Sequence, residues 1–178
     1  MPLNSNSPPA LVRRLRPSEA ALVNHLALAF LWNVEMTGRP LAEVDALLRR
    51  VPSLARMLAR GGSYFVAEIA GVVSAGGGWS LMPVEDRPTA LRQPLLSPLF
   101  FIDPAEAQRG LRARLLGWIE EDIARAGHEH AQALVPAGSA SAYEALGYRP
   151  VAVRQLPDTR LTVTCLRKPL TPALAAVA

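Results

Sequence analysis

Phe100-Phe101-Ile102-Asp103-Pro104-Ala105-Glu106-Ala107-Gln108-Arg109-Gly110-Leu111-Arg112-Ala113-Arg114-Leu115-Leu116 joins an apolar strand, through a Pro turn and a Gly-containing loop, to the best helix in the chain. The first N–H groups of a helix lack internal partners, and the dipole there favours negative charge. A glycine at that point lets a phosphate approach the backbone with no Cβ in the way. Arg109 and Arg112 put positive charge at the same helix end, against the dipole, which points to an external anion. An ordinary strand-to-helix connection with solvated arginines fits these residues equally well.

Working outward, the spacing predicts a strand over 11–15 and a helix started by Pro17-Ser18-Glu19, with Ser18 as cap. Leu22, Val23, Leu26, Phe30 and Leu31 follow at helical spacing. Further helical patterns cover 41–51 and 53–60. Strands over 64–68 and 72–80 form a hairpin around Ile69-Ala70-Gly71. Gly76-Gly77-Gly78 in its second arm predicts a bulge or a close backbone approach. An apolar strand covers 95–102, and the long helix runs over about 108–126. Leu111, Leu115, Trp118, Ile119 and Ile123 share its inner face, with Arg112 assigned elsewhere. A strand over 131–135, a short helix over 139–146 and two closing strands over 148–155 and 160–168 complete the order. Hairpins mixed with strand-helix-strand crossovers imply an α/β sheet with helices on both faces.

The second informative segment is Pro136-Ala137-Gly138-Ser139-Ala140-Ser141-Ala142-Tyr143-Glu144-Ala145-Leu146-Gly147-Tyr148-Arg149-Pro150. Ser139 reads as the cap of the short helix. Taken alone, Tyr143 reads as a half-buried packing residue.

Together the two segments resemble the hallmark motifs of the GNAT superfamily of acyl-CoA-dependent N-acetyltransferases. The first motif is an apolar strand, a Pro turn, Gln/Arg-x-x-Gly-x-Gly/Ala and two helix leucines; Pro104, Gly110, Leu115 and Leu116 fall in register with it. The second ends in Tyr, three residues, Gly and an aromatic, as Tyr143-Glu144-Ala145-Leu146-Gly147-Tyr148 does. Thr164-Cys165-Leu166-Arg167-Lys168-Pro169-Leu170 is similar to the family's last strand. The chain departs from the pattern at Ala107, at Arg112, and at Pro136, where the family commonly has Asn.

The resemblance covers residues 11–170 and implies a mixed, mostly antiparallel central sheet of six to seven strands with helices on both faces. It implies that strands 95–102 and 131–135 splay apart to admit the pantetheine arm of acetyl-CoA, a co-substrate, beside backbone groups of Phe100, Phe101 and Ile102. The diphosphate is expected on the amides of Gln108, Arg109, Gly110, Leu111, Arg112 and Ala113. A backbone N–H near Ile102 is expected at the oxyanion. Tyr143 is expected both to touch the cofactor and to act as the acid for the leaving thiolate. The implied reaction moves an acyl group, most simply acetyl, to an amine on a small molecule or peptide by direct attack in a ternary complex. Residues 32–40, with Trp32, Glu35 and Met36, would line the acceptor. The base stays open among Glu85, Asp86, Asp103, Glu106 and a water chain. A non-catalytic binding module on the same fold is the alternative, and a homodimer is compatible with either.

The bulk properties fit this picture. The chain has 178 residues, 50% of them apolar, with a net charge of +4 and a pI near 10.0. That length suits one domain over 11–170, with a disordered N-terminus at 1–10 and a tail at 171–178. The arginines are scattered rather than clustered with aromatics, which argues against a nucleic-acid partner. No apolar run reaches the roughly 18–20 residues of a membrane span. With no signal segment read at the start, the expected location is the cytoplasm. Lys168 is the sole lysine among 19 basic residues, a skew suggestive of a GC-rich bacterial genome. Cys165, alone in an apolar run, reads as a small core residue. His128-Glu129-His130 lacks a third strong ligand and is not read as a metal site.

Overall fold

A two-residue turn sets the centre of the sheet. Ala70 and Gly71 both have positive φ (50° and 82°), the primed-turn conformation whose twist matches paired strands. It joins β2 (Ser63–Ile69) to β3 (Val72–Pro83) as an antiparallel pair. The computed structural model describes residues 9–30, 54–59, 62–83, 92–96, 100–103, 106, 110–136, 140–155 and 162–171. The other strands are β1 (Leu11–Arg14), β4 (Arg92–Leu96), β5 (Phe101–Ile102), β6 (His130–Pro136), β7 (Arg149–Gln155) and β8 (Thr162–Pro169). The helices are α1 (Ala20–Phe30), α2 (Leu54–Ala59), α3 (Leu111–Arg125) and α4 (Ala140–Glu144). The sequence-predicted helix over 41–51 lies outside the described residues.

The sheet runs β1-β2-β3-β4-β6-β8-β7, with β5 paired to β3. Among the described residues only β4 and β6 pair in parallel. Among the described residues there are eight strands, because the span expected as one strand over 95–102 is divided. Leu96 pairs with Trp79 and Phe101 with Gly76. Four residues separate these two rungs on one side and two on the other, so β4 and β5 do not continue as one regular ladder on β3.

β2 shows why both faces carry helices. Its side chains alternate: Phe65, Ala67 and Ile69 join the core beneath α3, while Tyr64 and Val66 pack with Val23 and Ala27 of α1 and Leu54 and Met57 of α2. In α3, Leu111, Leu115, Leu116, Ile119 and Ile123 are buried. Trp118 is 43% exposed, with its ring 6.4 Å from that of Phe65. The inward place expected for it belongs to Leu116. In α1, Val23 and Ala27 are buried and Leu26 packs beside them, while Leu22 of the expected set is exposed.

Polar anchors fix these layers. Asp122 is buried in α3 and accepts from Trp79 Nε1 at 2.8 Å and from the Arg14 guanidinium. This ties β3 and β1 to the helix. At the start of α1, the Glu19 carboxylate, rather than Ser18, accepts the Arg16 N–H at 3.0 Å. It also takes both terminal nitrogens of Arg13 at 2.8 Å. Arg13 Nε reaches Glu68 at 2.8 Å.

Candidate active site

The parallel pair at the centre of the sheet opens almost at once. Its one registered rung is Leu95 opposite Gln132. Beyond it, Leu134, Val135 and Pro136 continue along β8, while the next described strand, β5, pairs with β3. Among the described residues, β5 has no partner on its other edge. A V-shaped parting therefore lies between Phe101–Ile102 and the C-terminal half of β6. The pairing is compatible with the splay expected between 95–102 and 131–135.

Two glycines of β3 shape one wall of the parting. A Cβ on Gly77 would stand 2.4 Å from Phe100 Cδ2, and one on Gly76 would stand 2.5 Å from Phe101 Cε1. The glycine run thus lets Phe100 and Phe101 lie against opposite faces of β3, the close approach anticipated above.

The start of α3 faces the same region. Gly110 is its N-cap with φ 69° and ψ 16°, a left-handed conformation costly for other residues. Nothing lies within 4 Å of where its Cβ would be. The first ladder bond runs from Arg114 N to Gly110 O at 3.2 Å, so the amides of Leu111, Arg112 and Ala113 precede the ladder. Leu111 is buried and Ala113 exposed.

Arg112 does not lie off the inner face as expected. Residues 112, 116, 119 and 123 follow the i, i+4, i+7, i+11 spacing of one helix stripe, and the last three are buried leucine and isoleucines. Arg112 heads that row at the mouth. Its Cζ lies 5.3 Å from the Phe100 ring centroid and 5.8 Å from that of Tyr143. Among the described residues it has no carboxylate partner. Cation–π contacts hold a guanidinium by its faces, at roughly 0.5–2 kcal/mol each, and leave the N–H edge available to an oxyanion.

Tyr143, on α4, is 9% exposed. Its ring meets that of Tyr148 edge-on at 5.7 Å and 89°. Tyr148 is fully buried; its hydroxyl donates to Glu120 Oε1 at 2.9 Å, and Lys168 Nζ donates to Glu120 Oε2 at 2.7 Å. Burial, with the Glu120 charge beside it, pushes the Tyr148 phenol far above its usual range. Tyr148 is thereby locked as a donor, and it buttresses Tyr143. Sequence reading noted Tyr148 only as the motif's aromatic and missed Glu120; a buried phenol facing Glu and Lys from two distant segments leaves no local signal.

Phe100, Phe101, Ile102, Gly110, Leu111, Arg112 and Ala113 thus gather around one parting, with Tyr143 reached through Arg112. Gln108 and Arg109, the acceptor segment 32–40, and Glu85 and Asp86 lie outside the described residues. Asp103 is exposed; its N–H bonds Ser74 O at 2.7 Å, extending β5. His128 packs edge-on against Trp79 at 5.7 Å, in the turn after α3. Among the described residues, no group of three His, Cys, Asp or Glu is placed to hold a metal ion, and no helix is long and apolar enough to cross a membrane. A surface concavity of about 460 Å³ beside Glu120, Arg125 and Lys168 lies toward the far end of α3, where Glu121 pairs with Arg125 at 2.5 Å.

A mostly antiparallel sheet whose one parallel pair parts beside the start of a long helix is the GNAT acetyltransferase fold, and the chain has that fold. yncA of Salmonella typhimurium, solved with its cofactor acetyl-CoA, matches with a TM-score of 0.63 at 22% identity, over 96% of this chain and 99% of its own. A phosphinothricin acetyltransferase from Sinorhizobium meliloti in complex with AcCoA matches with 0.64 at 17% identity, over 93% and 94%. The ribosomal-protein-alanine N-acetyltransferase of Brucella melitensis matches with 0.66 at 16% identity, over 90% and 99%. No sequence-family model and no curated protein matches the chain.

Proposed function

We propose that the chain is an acyl-CoA-dependent N-acyltransferase, most simply an acetyltransferase acting on a small-molecule or peptide amine. The observation that carries this is the open edge of β5 beside β6, next to the first amides of α3, which precede its ladder. A strand-like pantetheine arm would add to the open edge of β5. The diphosphate would meet the amides of Leu111, Arg112 and Ala113 and the edge of the Arg112 guanidinium. Both acetyl-CoA complexes among the structural matches are consistent with this.

In the reaction, the amine nitrogen attacks the thioester carbon, a C–N bond forms and the C–S bond breaks. The nitrogen gives up a proton to a base or water, and the departing thiolate takes one from the Tyr143 hydroxyl. Most of the acceleration comes from holding amine and thioester together, and a backbone N–H near Ile102 would stabilise the oxyanion. A phenol near pKa 10 is a workable donor to a thiolate whose acid lies near 8.5.

Calorimetry with acetyl-CoA, followed by thiol release with an amine panel, tests the reading. Saturable binding and amine-dependent thiol release are expected. Absence of binding would remove the reading and favour a non-catalytic module on the same fold, with Arg112 closing the mouth.

A further inference from the structure

The strands on one side of the parting contain no acid. β6, β7 and β8 read HAQALVP, RPVAVRQ and TVTCLRKP. On β8, Leu166 joins the core beneath α3 and Lys168 reaches Glu120 on that helix. Strand alternation then puts Val163, Cys165 and Arg167 on the opposite face. Arg167 stands opposite Gln132 of β6, and Gln132 is the residue that forms the last rung with β4. Arg167 is therefore at the root of the parting, on the face turned away from α3.

The surroundings of Arg167 are unfavourable for a cation. Its Nε is buried and has no hydrogen-bond partner, and among the described residues no carboxylate pairs with it. Buried donors without partners are uncommon and call for an explanation. Its neighbour across β7 is Arg149, and like charges directly opposite on a sheet repel. Arg154 is opposite Val163 on the same face, and both Arg154 and Arg167 exert their field on Cys165. A bound anion would supply the missing acceptor and offset the repulsion.

Arg167 acquires this role only on the acyl-CoA reading. If the diphosphate lies at the start of α3, the thiol end enters the parting from the α3 face, and the amine approaches from the other face, past Arg167. We propose that Arg167 binds the carboxylate of the acceptor, and that the acceptor is a small amine carrying its own carboxylate, a free amino acid. Adjacent rungs are about 3.3 Å apart along a strand, so anion and amine belong to one small molecule.

The test uses the full chain, acetyl-CoA, the common amino acids and the matching α-amides, with thiol release as readout. Wild type is expected to favour acids over amides by about tenfold or more in kcat/KM. Arg167→Ala should raise KM for the acid at least tenfold, close the gap to the amide, and leave acetyl-CoA affinity within about twofold; Arg167→Lys should restore part of the preference. Equal use of acids and amides by wild type would overturn the proposal. So would equal losses for both in Arg167→Ala, or turnover of peptides alone. Acetyl-CoA binding with no amino acid consumed would sink this inference and spare the acyl-CoA reading. Failure of wild type to bind acetyl-CoA would sink both.

Discussion

Tyr143→Phe keeps the ring that Arg112 covers and that Tyr148 supports, and removes only the hydroxyl. The expected result in steady-state kinetics is a fall in kcat of about 10²-fold, typical for loss of an acid group, with acetyl-CoA affinity nearly unchanged. An unchanged kcat would remove Tyr143 from the chemistry. Arg112→Ala should do the reverse and weaken acetyl-CoA by about tenfold, ~1.4 kcal/mol, with a shallower salt dependence in calorimetry; tighter binding would show that the guanidinium blocks the mouth. The sequence made Tyr143 legible because its spacing to Gly147 and Tyr148 is local. The reach of Arg112 was hidden: position 112 reads as inward only when 116, 119 and 123 are taken as its row. Arg167 was hidden too, because its significance depends on which strands flank β8.

The parting is a property of the strand β3 as much as of β4 and β5. Two faces of its glycine run are filled by Phe100 and Phe101, and β5 pairs with β3 while β4 pairs with β6. Gly77→Ala places a methyl 2.4 Å from Phe100. It should cost about 1–3 kcal/mol in denaturant unfolding, the usual penalty for overpacking, and it should weaken acetyl-CoA by moving the ring beneath Arg112. An unchanged unfolding midpoint would show that Phe100 is not held against β3. Hairpins, the long helix and the closing strands were readable from period and turn residues. The division of 95–102 was signalled by Ser97-Pro98, since a proline cannot donate to a ladder, but the apolar residues on both sides read as one run. In α1 the exposed place of Leu22 was hidden for a similar reason: Leu22, Val23 and Leu26 are equally apolar, and the partner elements turn only the last two inward.

Across the whole molecule, the N-terminal strand is stitched down by charge. Hydrogen bonds from Arg13, then from the Arg16 N–H, lower the Glu19 carboxyl from 4.5 to about 2. A lowered folded pKa gives stability that is present above the unfolded value and lost as pH falls through the folded one. The contribution should fade between about pH 4.5 and 2, and Glu19→Gln should flatten that part of an acid-unfolding curve; an unchanged curve would mean the contact is as strong in the unfolded chain. A consequence of a different kind follows from the paired phenols. The chain has three tyrosines, and burial lifts Tyr64 and Tyr148 far beyond the ordinary alkaline range. A phenolate signal from these two rings therefore appears only when the fold gives way. Alkaline absorbance thus carries a built-in, label-free alarm for the loss of the packed interior.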